Sequence, residues 1–236
     1  MKVSLFVCVC LCLCTPLLAQ KKVFMNKELV EVKSASEASF YRMESGDSLL
    51  MFDLDDRLLE SFSSHKNPDD TYNGMHRAWY RNGQLKWQYA IDHNRLTDTV
   101  RSWYENGQLR RQQLYRQDTL LSGQCFTVAG KEVGCRVFIE QAGFPGGQKG
   151  LINYLQSTLR YPKKALKANQ QGIVLVEFVV GSNGQLLSIA IKKSVSKELD
   201  EEALRVVKAM PNWKPMRVEG EPRNTYALQP VAFQLQ

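Results

Sequence analysis

Apolar positions follow three different rhythms along this chain. Between Val3 and Leu18 they run almost without a break. Across the middle, short aromatic and aliphatic stretches are separated by turn-forming pairs, the pattern of β-strands joined by hairpins. After Phe144-Pro145-Gly146-Gly147, which marks the start of a new domain, the rhythm changes again. Leu151, Leu155 and Leu159 recur at four-residue spacing, which predicts a short helix. Tyr161-Pro162 stops it, because proline disfavours helix at the residue before it. Ala165 to Ala168 adds a helical turn. Ile173 to Val180 is a β-branched run bounded by Gly172 and Gly181, followed by a Ser182-Asn183-Gly184 turn and a return strand over Gln185 to Lys192. Asp200 caps a further helix, with Glu201 and Glu202 in its first turn and Ala203, Val206, Val207 and Met210 on its buried stripe, and Pro211 ends it. Thr225 to Leu235 reads as a last strand. Its apolar parity switches at Pro230, from Tyr226 and Leu228 to Val231, Phe233 and Leu235, which predicts a bulge and an edge position.

The first apolar run covers 16 residues, is preceded by Lys2 and is followed by Ala19. A membrane-spanning helix needs about 20 apolar residues. The layout is that of a secretory signal peptide cleaved after Ala19, although Leu17 stands at the −3 position where a small residue is preferred. The alternative is an uncleaved inner-membrane anchor with the rest of the chain facing the periplasm. Cys8, Cys10, Cys12 and Cys14 leave with a cleaved segment, so the mature chain keeps Cys125 and Cys135. In an oxidising compartment these two can bridge the arms of a hairpin, or they stand as free thiols.

The middle of the chain repeats itself. Trp79-Tyr80-Arg81-Asn82-Gly83-Gln84-Leu85 recurs as Trp103-Tyr104-Glu105-Asn106-Gly107-Gln108-Leu109, an offset of 24 residues. Cys125 to Lys131 is a weaker copy, and Met51 to Leu58 a degenerate one. Asn-Gly between aromatic and apolar residues is a strong hairpin signal, on the expectation that both turn positions take positive φ. Each unit is then strand, turn, strand, and stacked units form an antiparallel β-meander. Residues 41–135 resemble the MORN-like repeats of exported bacterial proteins, which implies an extended sheet and no catalytic activity. Trp79, Trp87, Trp103 and Tyr104 form either an exposed binding stripe or the packing ladder between hairpins; packing is the better-supported reading.

From residue 144 the landmarks are Tyr161-Pro162, Ala165, Gly172, the Val174-Val176-Phe178 strand, Asn183-Gly184, Asp200, Ala203, Pro211-Asn212-Trp213, Gly220 and Pro230-Val231-Ala232-Phe233. In this order they resemble the TonB C-terminal domain family, and the Phe144 to Gly147 lead-in is similar to that of its Bacteroidetes-type members. The resemblance implies a periplasmic domain that grips the TonB box of an outer-membrane TonB-dependent transporter by adding a β-strand to the edge of its last strand. By position, the binding residues are Arg160, Tyr161 and Pro162, with Asn224, Thr225, Tyr226, Ala227, Leu228, Val231 and Phe233. In the segment just before Tyr161-Pro162 family members often carry Gln, whereas this chain has Leu159-Arg160. Trp213 reads as core packing. The short N-terminal run without histidine and the scarcity of proline, 8 residues in all, depart from a full energy transducer. Coupling to an inner-membrane proton-channel complex therefore requires the N-terminus to stay uncleaved.

Charge and composition narrow the remaining classes. Residues 20–143 carry no net charge, whereas residues 144–236 carry +6. That excess is either a solvated face or a surface for an acidic partner or cell-envelope polymer such as peptidoglycan; export argues against nucleic acid. His65, His76 and His93 have no ligand-like spacing, so no metal is expected. No phosphate-binding loop, dinucleotide fingerprint or cofactor motif occurs, and no enzymatic activity is expected. The sequence thus predicts an α+β protein with an N-terminal antiparallel β-meander of MORN-like hairpin repeats over residues 20–143. A TonB-type domain with a three-stranded antiparallel sheet and helices follows over residues 144–236. The expected role is transporter binding linked to energy-dependent transport; the alternative is a periplasmic scaffold without energy coupling. Edge strands also allow a homodimer.

Overall fold

The structure, a computed structural model, describes residues 21–68 and 71–235. The segment 1–19, read as a signal peptide, lies outside them. Among the described residues no helix is long and apolar enough to cross a membrane. The fold is a mixed α+β architecture dominated by antiparallel strands.

The first ten strands are β1 (Val23–Met25), β2 (Phe40–Ser45), β3 (Ser48–Phe52), β4 (Leu58–Lys66), β5 (Tyr72–Trp79), β6 (Leu85–Asp92), β7 (Arg95–Trp103), β8 (Leu109–Arg116), β9 (Thr119–Phe126) and β10 (Glu132–Val133). They lie side by side in sequence order as one sheet. The Asn-Gly turns differ from expectation. Gly83 and Gly107 have φ of 83°, but Asn82 and Asn106 do not take positive φ. The Gly83 and Gly107 N–H groups bond back to the Tyr80 and Tyr104 carbonyls, and the Tyr80 and Tyr104 N–H groups to the Gln84 and Gln108 carbonyls. Each turn is therefore type I followed by a left-handed glycine. The asparagine stays right-handed because its Oδ1 accepts the N–H two residues on, from Gln84 at 2.9 Å and Gln108 at 3.1 Å.

The opposite ends of the strands carry the doubly positive turns, at His93-Asn94 (φ 48° and 60°) and Gln117-Asp118 (φ 47° and 66°). One turn of each kind plus two strands makes the 24-residue period. Neighbouring units are stitched together. Asn94 and Asp118 accept the N–H groups of Tyr72 and Leu96 at 2.9 and 2.7 Å. Tyr80 and Tyr104 donate to the Trp103 and Phe126 carbonyls at 3.0 and 2.8 Å. Trp87 is fully buried in a core with Tyr89, Val100, Phe138 and Val218, whereas Trp79, Trp103 and Tyr104 are half-buried. Cys125 on β9 is bonded to Cys135, with Cα atoms 5.3 Å apart, and so ties the chain beyond β10 to the sheet.

The rest of the chain forms β11 (Ile139–Glu140), α1 (Gly147–Thr158), α2 (Lys163–Lys167), β12 (Gly172–Val180), β13 (Leu186–Lys193), α3 (Lys197–Lys208), β14 (Met216–Val218), β15 (Glu221–Arg223) and β16 (Thr225–Phe233). β12 is flanked by β13 and β16, and β11, β14 and β15 form a second, small sheet. Val174, Val176, Phe178 and Val180 pack with Leu199, Ala203, Val207, Val231 and Phe233 into the core of this half. The cap of α3 is Ser196, whose Oγ accepts from Leu199, not Asp200. Asp200 lies one turn inside and reaches back, accepting from Ser194 Oγ at 2.5 Å and the Val195 N–H at 3.1 Å.

No bulge interrupts β16. Its register against β12 is continuous from Gly172 opposite Phe233 to Val180 opposite Thr225. The irregularities fall between β12 and β13 instead. The apparent parity switch arises because the inward position 229 holds a buried glutamine, while Tyr226 and Leu228 face outward.

The two halves interlock. Phe138, before β11, and Val218, on β14, join the core of the repeat sheet with Trp87, Tyr89 and Val100. The β14–β15 turn, Glu219-Gly220, takes positive φ at both positions (55° and 80°) and inserts the Glu219 carboxylate against the repeat sheet. There it meets Ser102 Oγ at 2.5 Å and Arg111 Nε at 2.8 Å.

Candidate partner-binding edge

Among the described residues β16 pairs on one side only, with β12. Pro230 fixes which of its backbone groups face which way. Proline has no N–H to give to an antiparallel ladder, and it stands opposite Leu175 in an unbroken register, so this pair is non-hydrogen-bonded. By alternation, Thr225, Ala227, Gln229, Val231 and Phe233 direct their N–H and C=O groups to β12. Tyr226, Leu228, Pro230 and Ala232 direct theirs to the free edge. The same alternation sends the first set of side chains toward the core and the second set outward, which the burial confirms. Tyr226 and Leu228 are 58% and 57% exposed.

The expected binding residues thus divide. Tyr226 and Leu228 present both backbone and side chain to an incoming chain. Val231 and Phe233 are buried in the core, and Thr225 and Ala227 spend their backbone on β12. Asn224 works locally: its Oδ1 accepts the Ser182 N–H at 2.6 Å, and its Nδ2 donates to the Lys27 carbonyl. Tyr226 donates to the Leu29 carbonyl at 2.8 Å, so the loop after β1 leans over the start of the edge. Tyr161 packs edge-on against Phe233, ring centroids 5.8 Å apart, and its hydroxyl donates to the Gln170 carbonyl. Pro162 precedes α2 as its extended cap residue. The Arg160 side chain is exposed, while its backbone N–H donates to Glu202 at 2.7 Å. The Arg205 guanidinium and that N–H hold the Glu202 carboxyl below its ordinary range, against burial, which acts the other way.

Beside the edge lies a cavity of about 460 Å³, bordered by Phe144, Leu151, Trp213, Leu228 and Pro230. Trp213 stands edge-on to both Phe144 and Phe178, with ring centroids 6.0 and 5.2 Å away. Its Nε1 is buried without a hydrogen-bond partner. The Phe144 lead-in and Trp213 were both visible as landmarks, yet nothing in the local pattern placed them next to β16; only the folded helix layer does. Among the described residues no group of histidine, cysteine or carboxylate side chains could hold a metal ion.

No curated protein and no solved structure matches the chain. One stretch does have a recognisable family. Residues 157–235, which contain α2, β12, β13, α3 and the whole of β16, match the family of the Gram-negative bacterial TonB protein C-terminal.

Proposed function

We propose that this protein works in the periplasm, where its C-terminal domain binds the TonB box of an outer-membrane transporter by strand addition to β16, in support of energy-dependent transport. The observation that carries the reading is the open edge itself. Outward N–H groups at Tyr226, Leu228 and Ala232, with outward carbonyls between them, can pair with an extended peptide. The cavity at Phe144 and Trp213 gives such a peptide a place for one apolar side chain on the helix side of the edge. The family match over residues 157–235 supports the partner class. The repeat sheet, which resembles MORN-like arrays, serves as the scaffold on which this edge is held, through the Glu219 insertion.

The test is a titration of the mature protein with a synthetic peptide carrying a transporter's TonB box. Saturable binding that weakens in Leu228→Pro is expected. A peptide that fails to bind, or binds equally well to that variant, refutes the assignment.

A further inference from the structure

At the junction of the two halves, away from the β16 edge, lies a second cavity of about 350 Å³. Four arginines line it: Arg110 and Arg111 from the repeat sheet, Arg136 from the segment beyond the disulfide, and Arg217 from β14. Two carboxylates share the lining, Glu140 and Glu219. Their partners are accounted for. Glu219 is shared by Arg111 Nε at 2.8 Å and Arg110 Nε at 3.4 Å. Glu140 faces Lys214 at 3.4 Å. Arg217 donates to the Gly220 carbonyl at 2.7 Å, which orients it without neutralising it. Among the described residues, neither Arg136 nor Arg217 has a carboxylate partner. The cavity wall therefore keeps two guanidinium groups without a carboxylate partner, supplied by two different parts of the fold, while Glu219 offsets only one of the two charges on Arg110 and Arg111.

The wall is also fixed in place. Arg111 donates to Gln113 Oε1 and to the Arg136 carbonyl, both at 2.6 Å, so the backbone at Arg136 is held by a buried side chain of the sheet. Cys135, the residue before it, is bonded to Cys125. Arg110 lies over the Tyr104 ring, 5.5 Å from its centre. Guanidinium forks match the paired oxygens of phosphates and carboxylates, and a concave site lined by one sign of charge concentrates counter-ions.

We propose that this cavity binds a doubly charged oxyanion, the charge that Arg136 and Arg217 together balance, carried by a phosphate ester or a dicarboxylate. The proposal is independent of strand addition at β16.

The experiment is calorimetric titration of the full mature chain with inorganic phosphate and, separately, with succinate, at constant ionic strength set by chloride. Saturable one-site binding of either anion is expected, and which one binds tells phosphate from dicarboxylate recognition. Arg136→Gln, an exposed position whose loss leaves the melting temperature unchanged, weakens binding about tenfold, the loss of one charge-assisted contact. Arg136→Gln with Arg217→Gln abolishes it. Lys208→Gln, on the far surface of α3, leaves it unchanged. Absence of saturable binding by both anions overturns the proposal, as does binding to the double variant at the affinity of the original chain.

Discussion

Proline scanning of β16 offers a test in which two adjacent positions should behave oppositely. Ala227 stands opposite Phe178, three residues before Pro230 and so of the opposite parity, in a pair that exchanges both ladder bonds. Ala227→Pro removes an N–H that bonds the Phe178 carbonyl, a group enclosed between strands. Leaving a buried carbonyl unpaired costs about 1–3 kcal/mol, and the ring adds a clash with the ladder. A total of about 3 kcal/mol lowers the melting temperature of a chain this size by roughly 6–12 °C. Leu228→Pro removes an N–H that points to solvent and a side chain that is 57% exposed. Its cost is within about 1 kcal/mol, a shift below about 4 °C. The order reverses for peptide binding. Leu228→Pro deletes one intermolecular hydrogen bond, about 1 kcal/mol, and so weakens the peptide roughly fivefold. Scanning calorimetry and peptide titration on both variants read the two effects separately. If Leu228→Pro is the destabilised variant and Ala227→Pro melts normally, the backbone parity deduced from Pro230 is inverted and the strand-addition edge is misassigned.

Three other perturbations test the interior. The Arg111 and Glu219 side chains are only 4% and 3% exposed, so Glu219→Leu leaves a buried, unpaired guanidinium and costs about 3–5 kcal/mol, whereas Arg111→Met with Glu219→Leu recovers most of it; urea midpoints of the two variants decide this. Burial lowers the His76 pKa to about 4. Because the folded value lies below the ordinary one, the stabilisation from keeping His76 neutral is complete above about pH 6.5 and is lost as the pH falls toward 4. The loss is at most about 3 kcal/mol. Denaturation midpoints between pH 4 and 7.5 should slope in the original chain and flatten in His76→Gln. Finally, Gly83 and Gly184 occupy the same kind of turn with φ of 83° and 86°, but a Cβ meets nothing at Gly83 and lies 2.3 Å from the Trp213 carbonyl oxygen at Gly184. Gly83→Ala should cost about 1 kcal/mol from backbone strain alone, and Gly184→Ala roughly 2 kcal/mol more, as read by thermal melts.

What the sequence reveals here depends on whether the signal is local. The strands around Asn82-Gly83 and Asn106-Gly107 were legible because a turn and its flanking residues lie within a few positions of each other, and the 24-residue offset repeats them. The turn type differs from the one the dipeptide predicts because it depends on where the asparagine side chain bonds, which the dipeptide alone does not state. The strand at Thr225 was legible, but its facing was not. Gln229 is polar and buried, so hydrophobic parity pointed to a bulge, while Pro230 carried the correct information as a missing donor.

The junction between the halves was illegible for a different reason. Arg111 and Glu219 are 108 positions apart, and neither sits in an apolar pattern that marks it as buried. Each charge is tolerated inside only because the other is there, so no single segment contains the evidence. The same holds for the arginine-lined cavity. Arg110 and Arg136 read separately as ordinary surface cations in a region of no net charge, and Arg217 as part of a basic C-terminal half. Their meeting is created by the Glu219-Gly220 turn, which carries β14 onto the repeat sheet and is the one structural feature on which both the scaffolded edge and the cavity depend. Disrupting that insertion should therefore affect both sites together, whereas Leu228→Pro affects only the edge and Arg136→Gln only the cavity.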